Sequence, residues 1–351
     1  MNSLQSEKVQ IIKDLRVVGQ SIAASNYSQV YVLVDENTNI HCLPLLQDAL
    51  VDEEVYFFYL EVPAGEQSKD ISTCASLWES LSEDNADRKT LIVNLGGGML
   101  TDLGAFVAAC YKRGIDFYNV PTSLLAMVDA ASGGKCGIDF GNYKNQIGVF
   151  QEAQKTFIFP EFLKTLPDTE FWSGMGEVFK HALIADADYW SQLKSLSGRS
   201  ISMDQIEKSI RIKQHIVEAD PKERGGRKKL NFGHTIGHAM ESYFLEKEKP
   251  IPHGFAVAAG MICEAHISVQ LNLISLPEYD DVEETLNQFF DFPTVKKSEF
   301  PELLHFMQQD KKNENDQINF TLLSSIGNAT FNQTATEQQI VTALDYFFGY
   351  D

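Results

Sequence analysis

The strongest constraint on the fold is a rhythm: short apolar runs of strand length alternate with longer amphipathic segments through the first half of the chain. Val30-Tyr31-Val32-Leu33-Val34 reads as a strand, Leu43 to Leu50 as a helix, and Val55 to Leu60 as a strand. Ile71 to Leu81 reads as a helix, Thr90 to Leu95 as a strand, Leu100 to Tyr111 as a helix, and Asp116 to Val120 as a further strand. Strands separated by helices point to βαβ units and a mostly parallel sheet, with ligands bound at the carboxyl ends of the strands. The rhythm stops near Pro167. From Glu170 to Met307 nearly every segment reads as helix, including Asp204 to Ala219, Leu230 to Leu245 and Ala256 to Leu273. A strand-like run, Ile318 to Leu323, precedes a last helix from Glu337 to Phe348. The expectation is an α/β domain over residues 1–167 and a mainly helical domain over 168–351.

Composition narrows the function classes. A chain of 351 residues exceeds the usual single-domain size, and 44% hydrophobic residues suffice for two cores. The net charge of −20 disfavours nucleic acid and anionic membranes as partners. Cys42, Cys74, Cys110, Cys136 and Cys263 are odd in number and form no CxxC pair, which reads as reduced thiols in a cytoplasmic protein. The N-terminal residues lack the layout of a signal peptide, and no apolar run approaches the ~20 residues of a membrane span.

Leu91 to Leu95 runs directly into Gly96-Gly97-Gly98-Met99-Leu100-Thr101-Asp102. Glycines between a buried strand and a helix start let backbone approach a phosphate, and the helix start offers free N–H donors. Taken alone, the turn serves tight packing equally well. Asp35 and Asn37 follow another strand end, where a carboxylate or amide can bond a ribose hydroxyl or merely line a polar loop.

Asn231-Phe232-Gly233-His234-Thr235-Ile236-Gly237-His238 places two imidazoles four residues apart, on one side of a helix. That spacing suits a divalent metal, but the glutamate of an HExxH site is absent, which disfavours a hydrolytic protease. His253 stands before another apolar helix, and Glu177 lies inside a helix in Gly176-Glu177-Val178-Phe179-Lys180. One glutamate and two histidines make a three-ligand catalytic metal set with an open position, and spacing leaves open whether His234 and His238 both ligate. Lys135 and Lys144-Asn145 sit in glycine-bounded stretches, and Lys180, Lys213, Arg227 and Asn231 follow in the helical half. Such cations suit a phosphate monoester and a carboxylate. Lys213 alone reads rather as a solvated helix face.

The motifs together resemble the 3-dehydroquinate synthase family over essentially the whole chain. The matching stretches are Pro63-Ala64-Gly65-Glu66-Gln67-Ser68-Lys69, Gly96-Gly97-Gly98 with Asp102, Val120-Pro121-Thr122-Ser123 through Asp129, and Ser132-Gly133-Gly134-Lys135. They continue through Lys144-Asn145, Thr165-Leu166-Pro167, Gly176 to Lys180, Asn231 to His238 and His253-Gly254. The resemblance implies a Rossmann-like nucleotide-binding α/β domain and an all-α metal- and substrate-binding domain. It implies Glu177, His234 and His253 as metal ligands, for zinc or cobalt, with His238 as a substrate contact. NAD positions are Asp35, Asn37, Glu66, Lys69, Gly97, Gly98, Asp102, Thr122, Ser123 and Thr165. Catalytic positions are Asp129, Lys135, Lys180, Glu223, Asn231 and His238, and substrate-binding positions are Arg113, Lys144, Asn145, Lys213, Arg227 and Lys311 or its neighbour Lys312. Arg113 matches an arginine that family homodimers present across the interface.

The implied activity is that of a carbon–oxygen lyase in aromatic amino acid biosynthesis. It converts 3-deoxy-D-arabino-heptulosonate 7-phosphate to 3-dehydroquinate through transient oxidation by NAD, β-elimination of phosphate, re-reduction and an intramolecular aldol closure. A valiolone- or inosose-forming sugar phosphate cyclase, a metal-dependent polyol dehydrogenase and a catalytically silent binding protein are the competing readings. Three positions depart from the family: Phe255 replaces a usual glutamate, Gly176 a common alanine and Ser123 a common threonine.

Overall fold

The computed structural model describes residues 5–6, 8–141, 143–309 and 318–350. The chain divides into two compact units, Met1–Pro167 and Asp168–Asp351. The first contains β1 (Gln5–Ser6), β2 (Val9–Ile11), α1 (Arg16–Ala23), β3 (Val30–Asp35), α2 (Glu36–His41), α3 (Leu43–Asp52) and β4 (Phe58–Val62). It continues with α4 (Ile71–Glu83), β5 (Leu91–Gly96), α5 (Gly98–Cys110), β6 (Asp116–Pro121), β7 (Lys135–Phe140), β8 (Tyr143–Phe150) and β9 (Lys155–Ile158). Among the described residues seven strands form one sheet in the order β1-β2-β9-β6-β5-β3-β4, parallel except between β1 and β2.

The interior strands β3 and β5 are almost wholly buried, as a parallel sheet covered on both faces requires, and their apolar runs supply that burial. One polar pair interrupts the interior. Asn94 and Asn119 are register partners on β5 and β6, and Asn94 Nδ2 donates to Asn119 Oδ1 at 2.9 Å. A Cβ at Gly104 of α5 would stand 1.9 Å from Asn94 Oδ1, so only glycine lets the helix cross there. The chain passes from β3 to β4 on one side and then returns to β5 on the other. This reversal opens a crevice at the carboxyl ends of β3 and β5, the place where such sheets bind nucleotides.

The second unit contains α6 (Asp168–Ala185), α7 (Ala187–Lys194), α8 (Met203–Ala219), α9 (His234–Glu246), α10 (His253–Gln270), α11 (Leu276–Phe289) and α12 (Phe300–Gln308). A hairpin of β10 (Asn319–Ser325) and β11 (Asn328–Thr334) precedes α13 (Glu337–Phe348). Helix α10 is buried nearly all round because α6, α9, α11, α13 and β10 pack on it. Among the described residues this unit is helical apart from the hairpin, which is the one amendment to an all-α description.

Three expected elements change. The helix expected from Leu230 to Leu245 is broken at Gly233, whose φ of 79° ends one turn and starts α9. The glycine-bounded stretches around Lys135 and Lys144 form the antiparallel pair β7 and β8. The polar run Asp35-Glu36-Asn37 opens α2, with Asp35 and Thr38 closing a reciprocal cap. Among the described residues no helix is long and apolar enough to cross a membrane.

Candidate functional site

In the helical unit, the chemistry gathers where α6, α9 and α10 meet. Each helix carries one candidate ligand beside a glycine, and those glycines set the approach. A Cβ at Gly254 would lie 1.8 Å from Ser173 O, one at Gly176 2.4 Å from Gly254 O, and one at Gly260 2.0 Å from Gly233 O. These obstacles are backbone atoms, which cannot rotate away. Backbone-to-backbone packing therefore brings Glu177 of α6, His234 at the start of α9 and His253 at the start of α10 into one place. Their candidate ligand atoms all lie within 4.8 Å of one another. Glu177 Oε1 is 3.5 Å from His234 Nε2 and 3.4 Å from His253 Nε2.

The far nitrogens of both rings are already engaged. His253 Nδ1 lies 3.0 Å from Glu241 Oε2, and His234 Nδ1 lies 3.1 Å from Phe232 O. Holding a proton at Nδ1 fixes the tautomer that turns the Nε2 lone pair toward Glu177. A carboxylate oxygen and two such nitrogens are a fitting donor set for a divalent ion with one open position. Burial works against a charge on His253, but the Glu241 and Glu177 carboxylates outweigh it and push its pKa up to about 10, so a metal ion taken at Nε2 would displace a proton from it. Lys180, buried one turn along α6, ion-pairs with Glu177 Oε2.

His238 shares α9 with His234, their ring centroids 5.1 Å apart, and sits 6.1 Å from the His253 ring. It groups with Glu241 and His253. The i,i+4 pair is therefore near the centre, but His253 is the imidazole that accompanies His234 beside Glu177. Phe255 packs edge-on against Phe290 at 5.2 Å, within an aromatic cluster that includes Trp172, Phe179 and Phe289.

Asn231 Nδ2 donates to Glu223 Oε1 at 2.9 Å, joining two predicted residues. Arg227 is buried and donates from Nη1 to Pro221 O at 2.8 Å. Asp220 shapes this loop by accepting the backbone N–H groups of Arg224, Gly225 and Arg227, and these bonds hold its carboxyl below the ordinary range. Lys213 is 5% exposed on the inner face of α8, so it is no solvated surface charge.

In the α/β unit, Asp35 caps α2 at the end of β3, and Gly97 and Gly98 start α5 at the end of β5. Both lie at the crevice where the strand order reverses, with Asn37 in the first turn of α2. Thr122 and Ser123 follow β6, and Ser123 Oγ accepts from Ala126 N at 3.3 Å. Thr165 ends the short turn Pro160–Lys164, its Oγ1 donating to Phe162 O. Asp129 lies in the π-helical turn Ala126–Ala130, held from behind because Asn119 Nδ2 donates to Ala131 O at 3.2 Å.

Lys69, almost fully buried, joins two predicted groups. Its Nζ is 2.7 Å from Asp102 Oδ2, 2.7 Å from Asn145 Oδ1 and 3.8 Å from Glu66 Oε1. Burial opposes its charge, yet Asp102 and Glu66 keep its pKa raised. Lys135 begins β7 and Lys144 follows the hairpin turn, so they stand roughly 13 Å apart along the strands at 3.3 Å per residue. Arg113 is exposed, with φ of 70°, in the turn Tyr111–Arg113. Lys311 lies outside the described residues.

Three site-shaping residues were not among those expected: Asp220, Glu241 and Glu264. The last is wholly buried and accepts backbone N–H groups at the start of α9. Its one sequence signal is a lone acid inside the apolar run Ala256 to Ala265.

Solved structures share this fold over nearly the whole chain. A 2-epi-5-epi-valiolone synthase from Streptomyces hygroscopicus, solved with NAD⁺ and Zn²⁺, superposes with a TM-score of 0.87 at 22% identity, covering 100% of this chain and 99% of that one. A 2-deoxy-scyllo-inosose synthase, solved with carbaglucose-6-phosphate, NAD⁺ and Co²⁺, gives 0.84 at 24% identity, covering 96% and 95%. The chain belongs to the 3-dehydroquinate synthase family: its N-terminal profile matches residues 59–173 and its C-terminal profile residues 174–313. The 3-dehydroquinate synthase of Parabacteroides distasonis is 39% identical, with 98% of each chain covered. That of Leptospira interrogans is 34% identical, covering 97% of this chain and 95% of its own.

Proposed function

We propose that this chain is a 3-dehydroquinate synthase, a carbon–oxygen lyase that converts 3-deoxy-D-arabino-heptulosonate 7-phosphate to 3-dehydroquinate and phosphate. The observation that carries the reading is the convergence of Glu177, His234 and His253 within 4.8 Å, in a chain 39% identical end to end to a synthase of that name. Glu177, His234 and His253 would hold a zinc or cobalt ion. Asp35, Asn37, Gly97, Gly98, Asp102, Thr122, Ser123 and Thr165, with Glu66 and Lys69, would hold NAD at the strand ends. When bound, the ion supplies Lewis acidity at a substrate hydroxyl, and the nicotinamide supplies a reversible hydride store.

The chain's own residues do the remaining work by positioning. Lys213 and Arg227 are cations already removed from water, so a substrate carboxylate meets them without the cost of desolvating them first. Lys180 lies beside Glu177 and brings a further charge to the same site. Asn231, oriented by its bond to Glu223, offers an amide to substrate oxygens. His238, beside His234, is suited to carrying a proton to or from a ring oxygen. Lys135, Lys144, Asn145 and Lys311 are assigned to phosphate, Asp129 to the reacting end, and Arg113 to a partner's site in a homodimer. The exposure of Arg113 is compatible with that last role.

The test is incubation with the heptulosonate phosphate, NAD⁺ and Zn²⁺ or Co²⁺. Phosphate and 3-dehydroquinate should appear one for one with no net NADH. NADH accumulation without phosphate release would replace this reading by a polyol dehydrogenase. Turnover only of a sugar phosphate lacking the carboxylate would replace it by another cyclase.

A further inference from the structure

Each imidazole of the candidate metal centre has a different partner behind it. His253 is backed directly by a carboxylate, with Nδ1 3.0 Å from Glu241 Oε2. His234 is backed by a peptide carbonyl, Phe232 O, at 3.1 Å. That carbonyl and the Gly233 N–H belong to one peptide plane. On its other side, Gly233 N donates to the Glu264 carboxylate at Oε2, 2.6 Å away, a charge-assisted bond. The run is therefore His234 Nδ1–H to Phe232 carbonyl, through the peptide to the Gly233 N–H, and on to a buried carboxylate.

We propose that Glu264 is a positioning residue for the metal centre, acting on His234 through the Phe232–Gly233 peptide as Glu241 acts on His253 by direct contact. The inference rests on the reading of Glu177, His234 and His253 as metal ligands. Two effects combine. The carboxylate fixes the turn, because Oε1 also accepts from Thr235 N at 3.0 Å and Ile236 N at 3.1 Å, so three donors flanking His234 are held by one side chain. It also polarises the peptide, since a donor bound to an anion makes the carbonyl of the same plane a stronger acceptor. A stronger acceptor at Nδ1–H makes Nε2 a better metal donor.

The same helix supplies both halves of the arrangement. His253 opens α10 and Glu264 lies eleven residues later, about three turns on and thus on the same face. Between them Gly260 admits Gly233 O, which a Cβ would approach to 2.0 Å. Helix α10 therefore presents one ligand itself and fixes the turn that presents another. Gly233, the residue before α9, has no side chain with which to cap it, and Glu264 supplies that function from across the packing. Fully buried carboxylates are rare, and one that meets three amides at a ligand-bearing turn has a specific use.

The experiment titrates metal-free full-length protein with Co²⁺, read by visible absorption and calorimetry, for the wild type, His234→Ala, Glu264→Gln and Glu264→Asp, with thermal unfolding alongside. The glutamine keeps the volume but sets an NH₂ group against an N–H donor. Glu264→Gln should remain folded, bind Co²⁺ about 10–100-fold more weakly and shift the Co²⁺ bands. A folded Glu264→Gln with wild-type affinity and unchanged bands would overturn the inference while leaving the metal centre standing. A wild type that binds no Co²⁺, or a His234→Ala protein that binds it normally, would instead remove the underlying metal-site reading. If Glu264→Gln does not fold, Glu264→Asp decides by the same criteria. Failure of both to fold would assign Glu264 to the fold alone and overturn the proposal.

Discussion

Replacing Gly254 by alanine tests whether helix packing sets the proposed metal centre. The added Cβ would stand 1.8 Å from Ser173 O, whereas ordinary contact begins near 3.4 Å. The obstacle is backbone, so α6 and α10 must separate by roughly 1.5 Å to restore van der Waals contact. Overpacking of this kind costs about 1–3 kcal/mol of stability. The site should suffer more than the fold, because Glu177 lies four residues from Ser173 on α6 and His253 adjoins Gly254. Their present separation, 3.4 Å between Glu177 Oε1 and His253 Nε2, would widen by a large fraction of the shift, while metal–ligand distances tolerate about 0.2 Å. A misplacement of this order corresponds to a loss of about 100-fold in kcat/KM, with a parallel loss of Co²⁺ affinity. Calorimetric Co²⁺ binding, turnover and thermal unfolding measure all three quantities. Gly226→Ala, where a Cβ meets nothing within 4 Å, should leave the unfolding temperature unchanged. A Gly254→Ala protein with wild-type Co²⁺ affinity and turnover would refute the reasoning.

Other consequences follow from individual contacts. Glu241→Gln should weaken Co²⁺ binding by about 10–100-fold with little change in unfolding temperature, and unaltered affinity would deny that carboxylate a part in orienting His253. Lys69→Met should cost about 3 kcal/mol in chemical denaturation, because Asp102 and Asn145 both lose their shared cation. NAD⁺ affinity, followed by fluorescence quenching, should fall with it. Asp70→Ala should cost about 1 kcal/mol at neutral pH, because Asp70 Oδ1 caps α4 by accepting from Thr73 N at 2.8 Å. That bond holds the Asp70 carboxyl below its ordinary value, so its contribution is present above pH ~4 and fades as pH falls through the lowered folded pKa. Denaturation of the two proteins across pH 2.5–7 should converge at the acid end, and a difference that grows on acidification contradicts the assignment.

Legibility in the sequence varied with how far a residue's meaning depends on its neighbours in space. The interior strands were plain because a parallel strand covered on both faces is an unbroken apolar run, as Val30 to Val34 and Leu91 to Leu95 are. The hairpin of β7 and β8 was hidden. Residues 144–150 are all exposed, so alternation is lost, and Gly137 and Gly148 read as loop signals. They are paired strand residues instead, each denied a Cβ by a carbonyl 2.7 Å away. Lys213 looked like a surface charge because a helix face is polar or buried only by virtue of what packs on it. Glu241 and Glu264 were missed for the same reason, since an acid on a helix gives no sign of the imidazole or amides it will meet.

What the sequence by itself determined is local and chemical: which segments form the interior strands, where glycine permits close approach, and which side chains can donate to a metal or an anion. Those properties reside in single residues and their immediate neighbours along the chain. Only the tertiary structure decided that Glu177, His234 and His253, separated by 57 and 19 positions, share one place while His238 stands beside it. The choice was made by backbone contacts at Gly176, Gly233, Gly254 and Gly260. Such contacts exist only when three helices have docked, because van der Waals repulsion acts over ångströms in space and not over intervals of sequence.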